Sequence, residues 1–91
     1  MQTDITVKLV DGPNYAFDPK RIELTAGTTY TIHVKAAKEF HTFTSSSLGF
    51  DQIMPAGADA TVKVTPSKKG TFKFVCLPHE SLGMTGEIIV K

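Results

Sequence analysis

Apolar residues recur at every second position of this chain, in one short run after another. Ile5, Val7 and Leu9 alternate with Thr6, Lys8 and Val10; Ile22 and Leu24 with Arg21 and Glu23; Tyr30, Ile32 and Val34 with Thr31, His33 and Lys35. Ala60, Val62 and Val64, and then Phe72, Phe74 and Cys76, repeat the pattern, and Glu87 to Val90 closes it. Side chains on a strand point alternately to opposite faces, so each run buries one face and wets the other. Turn-forming groups separate the runs: Asp11-Gly12-Pro13-Asn14, Asp18-Pro19, Ala26-Gly27, Pro55-Ala56-Gly57, Pro66 to Gly70, and Gly83. Six or more short strands at this spacing predict an all-β antiparallel sandwich or small barrel. No segment keeps a helical period for three turns. Ala36 to Phe40 has room for one turn, and Ser45 to Ile53, without a clear strand pattern, is expected to be an irregular loop or short helix.

A chain of 91 residues, 41% hydrophobic and 21% charged, makes one domain spanning residues 1–91. A domain this small buries only about 60–65% of the surface its unfolded chain exposes, so a bound metal would add useful stability. The single cysteine excludes an internal disulfide. Ten basic against nine acidic residues, with no like-charge run longer than Lys68-Lys69, give no electrostatic footprint for nucleic acid. No stretch approaches the roughly 20 apolar residues of a membrane span. Met1, Gln2, Thr3 and Asp4 lead straight into a strand pattern without a basic-then-apolar leader, as expected of a mature domain or one excised from a longer protein.

Chemistry concentrates in Cys76-Leu77-Pro78-His79-Glu80-Ser81-Leu82-Gly83-Met84, which holds a thiol, an imidazole and a thioether at a strand end and the loop after it. Cys76 shares the phase of Phe72 and Phe74, so its sulfur is expected to face the interior. One Cys, two His and a weak axial Met select copper in an electron-transfer site. The loop supplies one His. Of the other two, His33 alternates outward with Thr31 and Lys35, whereas His41 follows Phe40 and opens the strand-like Thr42-Phe43-Thr44, which makes His41 the candidate second imidazole. Pro78 stiffens the approach to His79, and Gly83 lets the chain turn back so that Met84 faces the metal. Met54 is expected to cap the core under the loop.

The spacing Cys76, two residues, His79, four residues, Met84, with Pro78 before the His, resembles the ligand loop of the cupredoxins, the small blue copper proteins of the plastocyanin and amicyanin type. Phe40 to Thr44 resembles their first-ligand strand, and the likeness extends from the Ile5 strand to the Val90 strand. It implies an eight-stranded Greek-key sandwich with one type 1 copper ion at its upper end, held by His41, Cys76 and His79 with Met84 weak and axial. Such a domain carries single electrons between a donor and an acceptor protein that dock briefly near the loop His. The matching docking positions are Pro78, Leu82 and Gly83, with Pro13, Phe40 and Leu48 as neighbours. Thr42 stands where many members carry an Asn that ties the ligand loops together, so the tie depends here on a hydroxyl of different reach. The resemblance also implies a periplasmic or outward-facing location, and we expect a monomer.

Other functions fare worse. A dinuclear copper centre needs two cysteines, and multicopper oxidase centres need more than three His. Cys76 with His79 could mimic a hydrolytic nucleophile and base, but an inward thiol denies a substrate access. Copper delivery, or service as a cupredoxin domain within a larger redox protein, is the alternative. Carriers that hand over the ion usually expose Met-rich or two-Cys motifs, which the three scattered Met do not form. Zinc competes chemically for the same Cys and two His.

Overall fold

A computed structural model describes residues 3–91, which form nine strands and a single short helix. The strands are β1 Asp4–Val10, β2 Ala16–Asp18, β3 Arg21–Leu24, β4 Tyr30–Lys35, β5 His41–Ser45, β6 Phe50–Met54, β7 Ala60–Val64, β8 Gly70–Val75 and β9 Thr85–Val90. One sheet has the order β2-β1-β4-β7 and the other β3-β9-β8-β5-β6. The chain crosses between sheets at β2–β3, β3–β4, β4–β5, β6–β7 and β7–β8, closing the predicted sandwich.

The alternating residues face each other across the two sheets. Val7, Ile32 and Val34 from the first, and Phe43, Phe74 and Ile88 from the second, are fully buried. Phe17 of β2 packs edge-on against Phe74, with ring centroids 4.8 Å apart, and against Phe43 at 5.8 Å. Burying a side chain of this size stabilises the fold by about 2–3 kcal/mol, and each aromatic pair adds about 0.5–1.5 kcal/mol. Gly86 lies opposite Phe74 in the β8–β9 register, and a Cβ there would collide with the Phe74 ring and sit 2.7 Å from the Lys20 carbonyl. The absent side chain therefore makes the space that Phe74 fills.

Two pairings, β1 with β4 and β3 with β9, are parallel, whereas the sequence pattern suggested antiparallel strands throughout. Alternation specifies which face is buried and carries no information about a neighbour's direction. The parallel β1–β4 pair has a functional consequence. Lys8 lies opposite Lys35, so both strands finish at the same end and the loops after them run side by side.

The segment Ser45 to Ile53 is neither an irregular loop nor a helix, because Phe50–Met54 forms an edge strand after a turn at residues 46–49. Its alternation is masked by polar Gln52 on the covered face and by Ile53, 49% exposed, on the other. The loop at residues 36–40 forms no helical turn, and the Lys38 and Glu39 N–H groups bond to Asp11 instead.

Candidate metal centre

Strand β8 delivers Cys76 in the phase of Phe74, and both side chains are fully buried. The chain then enters a 3-10 helix, Leu77–Leu82, with Cys76 as its extended N-cap and Pro78 in the first turn, where no N–H is needed. The His79 N–H closes this turn on the Cys76 carbonyl at 3.1 Å. Gly83 ends the helix in the left-handed conformation, at φ 91°, which glycine adopts without the clash a Cβ would cause. That reversal brings Met84 back beside the start of the loop. Its N–H bonds to the His79 carbonyl at 3.3 Å, its carbonyl accepts the Cys76 N–H at 3.1 Å, and its side chain is fully buried.

His41 opens β5 and is also fully buried, directly opposite buried Met54 on β6. Because β5 runs antiparallel to β8, its first residue meets the end of β8. The Cys76 Sγ lies 3.6 Å from His41 Nδ1 and 3.4 Å from His79 Nδ1. The three donor atoms all lie within 4.8 Å of one another. Metal–sulfur and metal–nitrogen bonds of about 2.0–2.3 Å at near-tetrahedral angles separate the ligand atoms by roughly 3.5 Å, so the sulfur-to-nitrogen spacings suit one shared ion. A buried thiolate with two imidazoles and an adjacent thioether is a donor set suited to copper in an electron-transfer geometry.

Thr42 is buried and joins the two ligand segments in two ways. Its N–H points to Cys76 Sγ at 3.5 Å, and its Oγ1 accepts the Leu77 N–H at 2.9 Å. Thr44 continues the chain, with its hydroxyl 3.2 Å from Thr42 Oγ1 and 2.8 Å from Asp51 Oδ1.

Both imidazoles are held from outside by residues that the sequence pattern did not single out. Asp11 Oδ1 accepts from His41 Nε2 at 2.7 Å, while its two oxygens take the N–H groups of Lys38 and Glu39. The hydrogen bond from His41, aided by those two backbone bonds and opposed by partial burial, keeps the Asp11 carboxyl below its usual pKa. The Tyr15 ring stacks on the His79 imidazole, with centroids 4.0 Å apart and planes 11° from parallel. Its hydroxyl donates to Glu39 Oε1 at 2.9 Å, and that bond is the main cause of a raised phenol pKa. In the sequence, Asp11 is indistinguishable from an ordinary turn residue. Only the parallel β1–β4 pairing brings its loop against residues 36–40.

His79 is half-buried. The residues around its end of the sandwich include exposed Pro13, Phe40, Pro78, Leu82 and Gly83, and Leu77, 53% exposed, joins them. Leu48 does not. It sits in the β5–β6 turn, at the far end of β5 from His41, and packs partly against the core. The run of hydroxyl residues around it gives no sign of that reversal. His33 is partly exposed on β4 and pairs with Asp4 at 3.0 Å, away from the centre.

A family model described as a cupredoxin-like domain matches residues 1–90. The chain belongs to the cupredoxin-like family. It is 30% identical to plastocyanin of Solanum tuberosum, a match covering 88% of this chain and 92% of that protein. It spans about half the length of the chloroplastic plastocyanins of Pisum sativum and Solanum lycopersicum. Among solved structures, dithionite-reduced auracyanin from Roseiflexus castenholzii superposes with a TM-score of 0.81 at 20% identity, covering 99% of this chain and 98% of that one. The metal-binding domain of the Cu(I)-exporting P-type ATPase CopA of Streptococcus pneumoniae D39, solved with Cu(I), gives 0.80 at 18% identity over 97% and 84%. At such identities the two likenesses concern the fold alone. Within this cupredoxin fold, His41, Cys76, His79 and Met84 cluster as a type 1 copper site.

Proposed function

We propose that the protein is a one-electron carrier in which His41, Cys76 and His79 would hold a single copper ion, with the buried Met84 thioether as a further, weaker donor. The observation that carries this reading is one buried thiol with two imidazole Nδ1 atoms 3.4 and 3.6 Å from its sulfur. Bound there, copper supplies a change of one unit of charge between Cu(I) and Cu(II).

The protein's contribution is rigidity. Cys76 and His41 leave the ends of paired strands, Pro78 and Gly83 fix the ends of a six-residue loop, and Thr42 bolts the two segments together. Donors that barely move between oxidation states keep the cost of rearrangement low. Burial of Cys76, His41 and Met84 excludes water from the interior side and protects the thiolate from oxidation. His79 is the ligand nearest solvent and is the proposed electron port. Phe40, Leu77, Leu82, Pro13, Pro78 and Gly83 form the apolar rim on which donor and acceptor proteins dock through a small, short-lived contact. Relatives of this type also support a periplasmic or outward-facing location.

Voltammetry of the copper-loaded protein tests this reading. A reversible one-electron wave, with copper retained through repeated cycles and electron transfer slowed in His79→Ala, is the expected result. Loss of the ion to a Cu(I) chelator upon each reduction would replace electron carriage with copper delivery.

A further inference from the structure

Two acidic side chains cross between the loops that follow β1 and β4, each serving the opposite loop. Asp11, on the first, accepts the Lys38 and Glu39 N–H groups of the second at 3.0 and 3.3 Å. Glu39, on the second, accepts the Gly12 N–H at 3.2 Å and the Tyr15 hydroxyl at 2.9 Å. Each arm ends on one imidazole of the metal centre, Asp11 on His41 and Tyr15 on His79. Gly12 belongs to the same construction, because a Cβ there would lie 2.7 Å from the Tyr15 ring.

We propose that Asp11 is a positioning residue of the copper centre, fixing the tautomer and orientation of His41 and setting the balance between Cu(I) and Cu(II) through its negative charge. The inference rests on the electron-carrier reading above and deepens it. The ionised Asp11 carboxylate can only accept, so His41 Nε2 carries the proton of that bond, and the ring turns Nδ1 toward the Cys76 sulfur, where its lone pair would be offered to a bound ion. That proton is given to Asp11 Oδ1 at 2.7 Å, a short bond to a charged acceptor, from an imidazole with no exposed surface. A carboxylate behind a ligand imidazole makes its other nitrogen a better donor, and loss of such partners typically weakens metal binding about 10–100-fold. The added negative charge favours the more positive ion, so Asp11 holds Cu(II) more strongly relative to Cu(I).

The test is the reduction potential of Asp11→Asn beside the wild type and Glu39→Gln. The side-chain amide introduced by Asp11→Asn keeps an acceptor oxygen for His41 and lacks the charge. We expect the preference of this variant for Cu(II) over Cu(I) to fall about tenfold, which for a one-electron couple raises the potential by about 59 mV. Glu39→Gln removes a charge that does not touch His41 and is expected to shift the potential much less. A copper-loaded Asp11→Asn protein with an unchanged potential overturns the proposal and leaves the carrier reading intact. So does an equal shift in both variants, since general loss of negative charge would then suffice. Failure of the wild type to bind copper defeats the carrier reading itself, and the metal-free protein then decides on Asp11. A slowly exchanging Nε2 proton on His41 in its NMR spectrum is expected, and its absence would refute the positioning role. The same measurement applies should Asp11→Asn fail to fold.

Discussion

Thr42→Val isolates the bond that ties the two ligand-bearing segments together. Valine keeps the branched shape and leaves the backbone N–H on the Cys76 sulfur, but removes the oxygen that accepts the Leu77 N–H at 2.9 Å. Thr42 is only 3% exposed, so water has little access from its side. Leaving this part-buried N–H without a partner costs about 1–2 kcal/mol, the lower part of the usual range because Leu77 itself borders solvent. In a domain of this length each kcal/mol lowers the melting temperature by about 4–8 °C, so the metal-free variant should melt about 5–15 °C below the wild type. Two assays separate this from a diffuse effect. Thermal unfolding by circular dichroism reads the global loss, and amide hydrogen exchange should show faster exchange at Leu77 than at core amides of β4. Melting within about 1 °C of the wild type, with unchanged Leu77 exchange, would refute the claim that this hydroxyl fastens the site.

Gly86→Ala should destabilise the protein by about 1–3 kcal/mol, because the new methyl meets both the Phe74 ring and a backbone oxygen that cannot swing away; urea unfolding checks it. Glu23 and Asp59 both titrate below their ordinary values of 4.5 and 3.8, chiefly through the Lys91 hydrogen bond and the Ala36 N–H respectively. A depressed folded-state pKa gives stability that is present above the unfolded value and lost as pH falls through the folded one. The melting temperature of the metal-free protein should therefore decline below about pH 4, and Glu23→Gln with Asp59→Asn should lessen that decline. Copper at roughly a thousand times its dissociation constant adds about 4 kcal/mol, which raises the melting temperature by about 15–30 °C and is reversed by a chelator. An unmoved melting temperature on copper addition would count against a preformed site.

The buried faces were legible in the sequence because they obey a period of two, from Val7 and Leu9 through Ile32 and Val34 to Phe74 and Cys76. Phase alone placed Cys76 inside. His41 was separable from His33 by the same logic, and the two lie respectively in the centre and on a half-exposed strand face. Edge strand β6 is hidden in the sequence because only one of its faces meets the core and a polar Gln52 sits on that face. The position of Leu48 is hidden for a related reason, since the turn before β6 sends it away from the metal end. Asp11, Tyr15 and Glu39 act through partners some 24–30 residues away. Those contacts depend on strand direction, which alternation does not encode, so they became visible only with the parallel β1–β4 pair in place.

The most direct test of the copper electron-carrier account is the visible spectrum of the purified protein with one equivalent of Cu(II), recorded beside Cys76→Ser. The account predicts an intense thiolate-to-copper band that disappears on reduction with ascorbate, returns on reoxidation and never forms in the serine variant. A folded wild-type protein without that band, or a band that survives in Cys76→Ser, would contradict it.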